Sequence, residues 1–188
     1  MYNLNLFASI IFYLLISISF TFAQDKQPPP PPGEFPQFQG ISVNSQAPNF
    51  QFQSINDKNI ELNNYLGKYV LIDFWGTWCE PCRKETSYLK KAYKKYGNKI
   101  QFIGIAVNDN AETVMDYVKK NNIKWPQIFV PFDSMNTAKI IEQYNVHVYP
   151  SLFLVSPSGT IQFGAQTQDE IDKLRGDKLI KTLDNLLK

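Results

Sequence analysis

The feature that most constrains the fold of this 188-residue chain is a strand that leads directly into a helix carrying both of its cysteines. The run YVLIDFW, Tyr69 to Trp75, is rich in β-branched and aromatic residues and is typical of a buried parallel strand. A helix is predicted over Pro81 to Tyr96, because its apolar residues recur three and four positions apart. Cys79 and Cys82 therefore lie where this helix begins, at one edge of a sheet.

Strands and amphipathic helices alternate along the rest of the chain. Strands are predicted over residues 100–107, 128–130, 151–155 and 160–163, and helices over residues 111–120, 137–144 and 178–187. Apolar and polar residues alternate from Asn49 to Ile55 before a turn, which indicates a short N-terminal hairpin. Together these elements predict an α/β fold with a central mixed β-sheet flanked by helices. The stretch from Gln162 to Gly176 is polar and poorly periodic, and no role is predicted for it.

Two segments precede the predicted folded domain, which spans residues 47–188. Residues 1–23 contain an uncharged apolar run, Leu6 to Phe22, and end in a small-residue pattern typical of a signal peptide. That run of 17 residues also reaches the short limit for a membrane anchor, so cleavage and retention both stay open. Residues 24–46 include five consecutive prolines and are interpreted as a stiff spacer rather than a motif for an SH3-like partner. With the leader cleaved or retained, we expect an exported protein.

The charge composition argues against a nucleic-acid-binding protein. The formal net charge is +2, and the lysines are spread along the sequence instead of forming one basic run. No nucleic-acid partner is therefore predicted.

A pair of cysteines two residues apart can be a structural disulfide, part of a metal site or a redox centre. A disulfide across so short a loop constrains the unfolded chain little. A zinc site needs four ligands, and the chain offers two cysteines and one histidine, His147. The start of a helix stabilises a thiolate at Cys79, and Cys82 lies close enough to resolve a mixed disulfide. A redox centre is favoured, with a copper-binding chaperone that uses Cys79, Cys82 and His147 as the alternative.

The segment FWGTWCEPCRKE resembles the active site of the exported TlpA/ResA-like thiol–disulfide oxidoreductases of the thioredoxin superfamily. The opening Ala47-Pro48-Asn49-Phe50 and the later segment YNVHVYPSLFLV extend the resemblance over most of residues 47–188. The resemblance implies a thioredoxin-like fold, a cis peptide bond before Pro150, and backbone groups of Tyr149 offered to an incoming chain. We expect Trp78 at the exposed rim of the site as a further substrate contact.

The resemblance also implies partners and a location. Substrates would be proteins that carry disulfides, with apocytochrome c the typical client in cytochrome c biogenesis, and a membrane electron donor would re-reduce the cysteines. No cofactor is expected, and the protein would act in the periplasm, free or anchored. A peroxidase is a poorer match, because Gly76 stands where peroxiredoxins have a threonine or serine three residues before the reactive cysteine.

Two acidic residues are candidates for proton transfer. Asp73 matches the buried acid of thioredoxins proper, and Glu85 matches the helix glutamate of the ResA-like group. A buried carboxylate has a raised pKa and can accept a proton from the inner thiol of Cys82. We predict Asp73 as the main acceptor with Glu85 assisting, although Glu85 could instead only stabilise the helix dipole. Because Glu80 disfavours a thiolate at Cys79, the predicted activity is that of a protein-disulfide reductase.

Overall fold

The computed structural model describes residues 41–131, 135–164 and 167–188. The predicted leader at residues 1–23 and most of the predicted spacer at residues 24–46 lie outside these ranges. The last residues of that spacer contact the folded domain, since Ile41 is buried and Asn44 donates its N–H to the carbonyl of Ile161 at 2.7 Å. In the described ranges, no helix has both the length and the apolar character needed to cross a bilayer.

A small antiparallel hairpin opens the domain, as predicted. Strand β1, Gln51–Gln53, pairs with β2, Asn59–Glu61, and a short 3-10 helix follows at Leu62–Tyr65. The backbone of Ile55 donates to the carbonyl of Gln127, which fastens the hairpin to the edge of the main sheet.

The main sheet has five strands of mixed direction, which confirms the predicted architecture. The strands are β3, Tyr69–Trp75; β4, Ile100–Asp109; β5, Gln127–Pro131; β6, Ser151–Val155; and β7, Ile161–Phe163. Their order across the sheet is β5-β4-β3-β6-β7. The first three are parallel to one another, whereas β6 is antiparallel to β3 and β7 is antiparallel to β6.

Five helices accompany the sheet in the described part of the chain. They are α1, Glu80–Tyr96; α2, Ala111–Lys120; α3, Met135–Gln143; α4, Gln168–Lys173; and α5, Gly176–Leu186. Four of them lie within two residues of the predicted bounds. Helix α4 was not predicted, because six residues are too few to display a helical period. Its N-cap, Thr167, accepts the backbone N–H of Glu170.

The two faces of β3 pack into separate apolar layers, because successive side chains of a strand point to opposite faces. Ile72 and Phe74 face a layer that includes Tyr144 and Phe153. Leu71 faces the other layer, where α1 and α5 contribute Leu89, Ala92, Leu179 and Leu183. These side chains are almost fully buried, so β3 is packed on both of its faces and α1 is packed against one of them.

The parallel strands β3 and β4 end together, with Trp75 opposite Ala106. After Trp75 the chain turns through Gly76, Thr77 and Trp78 into α1. Both cysteines thus lie at the carboxyl edge of the sheet.

Candidate active site

Cys79 and Cys82 form a disulfide at the first turn of α1, with their Cα atoms 5.3 Å apart. Cys79 is the N-cap of the helix, and its Sγ accepts the backbone N–H of Cys82 at 3.2 Å. Both side chains are buried, at 5% and 3% exposure. When the pair is reduced, the same N–H and the positive end of the helix dipole favour a thiolate at Cys79.

The loop before Cys79 is fastened to the end of β4. The carboxylate of Asp109 accepts the backbone N–H of Thr77 at 2.5 Å and its hydroxyl at 2.9 Å. The indole N–H of Trp78 donates to the carbonyl of Val107 at 3.1 Å. A side chain on Gly76 would place its Cβ 2.4 Å from that indole nitrogen and would displace the Trp78 ring. Sequence reasoning missed Asp109, because nothing local marks a residue 32 positions away as a loop partner.

The rim of the site combines Trp78 with the segment around Pro150. The peptide bond between Tyr149 and Pro150 is cis, as the family resemblance implies. The ring of Trp78 is half exposed and meets the ring of Tyr149 edge-on, with centroids 5.3 Å apart. Tyr149 in turn packs against the cluster that contains Cys79 and Cys82. The three residues predicted to contact substrate are therefore grouped on one side of the disulfide.

Asp73 is buried on β3, as its position in an apolar strand suggests. Its Oδ1 is fully enclosed and has no hydrogen-bond partner among the residues that the structure describes. Burial, reinforced by the negative charge of Glu85, raises the pKa of Asp73 to about 8, and the cation of Arg175 opposes the shift. A carboxyl group with such a pKa can take up and return protons near neutral pH.

Glu85 lies one turn beyond Cys82 and is also buried, at 7% exposure. Its Oε1 accepts the backbone N–H of Gly176 at 2.9 Å. Burial raises the pKa of Glu85, while the Gly176 hydrogen bond and the Arg175 cation lower it. Glu85 therefore sits inside the domain beside the second acid, rather than on the helix surface where a purely dipolar role would leave it.

Arg175 belongs to this group of charges, although the sequence did not single it out. It follows α4 in the polar stretch for which no role was predicted, and its guanidinium donates to the carbonyl of Pro150. Its charge acts on both Asp73 and Glu85. Arg175 thus links the cis-proline segment to the two buried acids.

Glu80, between the cysteines, has a smaller effect on the Cys79 thiolate than its position in the sequence suggests. Its carboxylate pairs with Lys84 at 2.8 Å, and both side chains are mostly exposed. This pairing lowers the pKa of Glu80. Since Lys84 and water both screen the charge of Glu80, its effect on a Cys79 thiolate is weakened.

The copper-binding alternative requires His147 together with both cysteines. His147 Nε2 lies 2.6 Å from Oδ1 of Asn145. Across residues 41–131, 135–164 and 167–188, no three side chains of His, Cys, Asp or Glu are arranged to hold a metal ion. The geometry gives this alternative no support.

Comparison with known proteins agrees with the geometry. A family model described as the AhpC/TSA family matches residues 43–163. The thiol–disulfide oxidoreductase ResA of Bacillus cereus is 33% identical over 175 residues, which cover 90% of this chain and 94% of that protein. The thioredoxin domain of a thiol–disulfide oxidoreductase from Bacteroides vulgatus has a TM-score of 0.69 and 28% identity, and the match covers 79% of this chain and 100% of that domain. A thiol:disulfide interchange protein from a Bacteroides species has a TM-score of 0.66 and 29% identity, with coverages of 77% and 90%.

Proposed function

Because this chain belongs to the AhpC/TSA family of the thioredoxin superfamily and is a thiol–disulfide oxidoreductase of the ResA type, we propose that it reduces disulfides in exported client proteins. Cys79 and Cys82 are the proposed redox pair. The observation that carries this proposal is their position at the start of α1, soon after the strand that carries the buried Asp73 and one turn before the buried Glu85.

The first step is attack by the Cys79 thiolate on a client disulfide. A mixed disulfide forms between Cys79 Sγ and one client sulfur, and the other client sulfur leaves as a thiolate. The N–H of Cys82, which donates to Cys79 Sγ, stabilises the attacking charge. The leaving thiolate takes up a proton from water.

The second step releases the client. Cys82 loses its proton to Asp73, whose pKa of about 8 suits a carboxylate that accepts a proton from a thiol. The Cys82 thiolate attacks Cys79 Sγ, and the mixed disulfide breaks. The second client sulfur leaves and is protonated. The client gains two electrons and two protons, and the Cys79–Cys82 disulfide remains.

Client binding is assigned to the rim formed by Trp78, Val148, Tyr149 and Pro150. Trp78 and Val148 are exposed at 50% and 46%, so the rim offers apolar surface next to Cys79. Such a surface suits an extended, unfolded polypeptide, whose backbone can pair with the segment before the cis-proline. Apocytochrome c is a client of this kind.

One further partner completes the cycle. The oxidised pair needs a dithiol donor, and a membrane electron donor outside the cytoplasm would supply it. Export would depend on residues 1–23, and N-terminal sequencing of the protein from a cell-envelope fraction separates a cleaved leader from a retained anchor.

The reduction potential of the pair tests the direction of electron flow. We expect a value near the roughly −270 mV of thioredoxin, and a value near −120 mV, about that of a strong periplasmic oxidant, would make the protein a disulfide donor.

A trapping experiment tests the roles of the two cysteines. Cys82→Ser should accumulate a mixed disulfide with a disulfide-bearing client, whereas Cys79→Ser should not. The reverse pattern would exchange the two roles.

A further inference from the structure

Three helices of the domain run in the same direction, so they carry side chains to a common end. Two hydrogen bonds connect α1 with α2 and its C-cap: in the first, the hydroxyls of Thr86 and Tyr117 lie 3.1 Å apart. One turn further along both helices, the Lys90 ammonium donates to the carbonyl of Asn121 at 2.7 Å. The two helices are therefore parallel.

Helices α1 and α5 are related in the same way. Near the cysteines, Glu85 on α1 accepts the N–H of Gly176 at the start of α5. Further from the cysteines, Lys95 on α1 pairs with Asp184 on α5 at 2.6 Å. The C-terminal parts of α1, α2 and α5 consequently lie away from the disulfide.

These C-terminal parts are strongly basic. Residues 90–99, 117–124 and 181–188 together contain ten lysines and one acidic residue, Asp184. We call these lysines, all of them exposed, the basic end: Lys90, Lys91, Lys94, Lys95, Lys99, Lys119, Lys120, Lys124, Lys181 and Lys188. Since the whole chain has a formal net charge of only +2, the remainder is net negative. The positive charge is thus gathered at the end of the domain opposite the cysteines.

Stabilisation of helix dipoles does not account for this many charges. A lysine in the last turn of a helix interacts favourably with the dipole there. Lys94, Lys95, Lys119 and Lys120 occupy such positions. Lys91 lies before the last turn of α1, and Lys99 and Lys124 follow the helices, so the dipoles do not account for these three lysines.

The chain enters the domain at this same end. Asn44 donates its N–H to the carbonyl of Ile161. Ile161 pairs with Val155, and Val155 pairs with Val70 near the start of β3. The start of β3 lies beside Ile100, the residue after Lys99. The segment that connects to the proline run and the apolar run of residues 6–22 therefore reaches the domain at its basic side.

We propose that the basic end binds the anionic surface of a lipid bilayer and, while bound, turns Cys79 away from it, so that re-reduction by the membrane donor requires the domain to leave that surface. Each lysine near an anionic bilayer contributes about 1 kcal/mol, and this attraction falls off within a Debye length of about 8 Å. Helix α1 has 17 residues. At 1.5 Å per residue it separates the disulfide from its far end by roughly 25 Å, so the lipid charge does not act directly on the cysteines. The inference does not rest on the redox chemistry, so its failure would leave the proposed function unchanged.

Lysine footprinting of the full chain on vesicles tests the proposal without a mutation. The probes are vesicles of equal parts phosphatidylglycerol and phosphatidylcholine, and vesicles of phosphatidylcholine alone. Any binding through the apolar run of residues 6–22 would be common to both kinds, so the difference between them reports charge. On anionic vesicles we expect acetylation of the basic end to slow at least about threefold, while Lys58, Lys84, Lys139 and Lys178 react as they do in solution. Equal protection on both vesicle types, or protection of those four control lysines, overturns the proposal.

A pair of matched variants tests the same surface by affinity. K91Q/K94Q/K99Q/K188Q should lower the affinity for anionic vesicles at least about tenfold, and K58Q/K84Q/K139Q/K178Q, which removes equal charge elsewhere, should lower it less than about twofold. Client reduction in solution should be unchanged in the first variant. Equal losses in the two variants contradict the proposal. Protection by soluble polyglutamate as strong as by anionic vesicles would assign the surface to an acidic protein and also overturn it.

Discussion

The backbone N–H of Gly176 donates a hydrogen bond of 2.9 Å to Oε1 of Glu85, a residue 91 positions earlier in the chain. This bond fastens the turn between α4 and α5 to a buried carboxylate near Cys82. Arg175, in the same turn, donates to the carbonyl of Pro150. The polar stretch from Gln162 to Gly176 therefore holds the acids of the site and the cis-proline segment in one arrangement.

Replacing Asp73 with asparagine should stabilise the oxidised protein at high pH. In the unfolded chain the Asp73 carboxyl ionises near pH 4, whereas in the folded protein its pKa is about 8. Its contribution to folding is thus fully present below about pH 4 and is lost as the pH rises through about 8. At pH 9 we expect Asp73→Asn to raise the free energy of unfolding by roughly 2–5 kcal/mol, with little change at pH 4. Urea unfolding at both pH values measures this, and an equal effect at both would contradict it.

Replacing Glu85 with glutamine should move the pH dependence of client release to lower pH. The charge of Glu85 raises the pKa of Asp73, so its removal lowers that pKa. Glutamine keeps an oxygen for the N–H of Gly176. Single-turnover release from the mixed disulfide, followed from pH 5 to 9, gives the profile. Glu85→Ala is the contrasting variant: it also removes the acceptor, and we expect it to cost about 1–3 kcal/mol of stability.

Replacing Arg175 with glutamine should move the pH dependence of client release to higher pH. The guanidinium lowers the pKa of both Asp73 and Glu85, and without it both carboxyls stay protonated to higher pH. The pH at which the rate of client release rises should therefore be higher. Arg175→Lys retains the positive charge but not the planar guanidinium, and it should keep the profile nearly in place. A Gln variant that unfolds more easily yet keeps the original profile would limit Arg175 to a structural role.

Replacing Asp109 with alanine should loosen the loop before Cys79. Its carboxylate accepts both the N–H and the hydroxyl of Thr77, and a loss of both bonds should cost about 1–3 kcal/mol. Because that loop also carries Trp78, the reduction of protein clients should slow more than the reduction of a small disulfide. Thr77→Val removes only the hydroxyl bond and should cost about 1 kcal/mol. Equal slowing with both substrates would mean that the loop does not position the client.

Local sequence patterns determined most of the fold. The period of apolar residues located α2 at residues 111–120, and continuous apolar runs located β3 and β6, because burial leaves a pattern within a short window. The cysteine pair identified the chemistry in the same way, since its spacing and the helix after it are local. The family resemblance correctly implied the cis bond before Pro150.

Only the tertiary structure decided which distant residues act together. Asp109 accepts a hydrogen bond from Thr77, and Arg175 donates one to Pro150. No local sequence pattern predicts either contact. The lysines of the basic end are separated in sequence, and three parallel helices bring them to one end of the domain. Periodicity reports the environment of a residue along its own helix or strand. Partners, charge clusters and shifted pKa values depend instead on how those elements pack, which the three-dimensional arrangement alone sets.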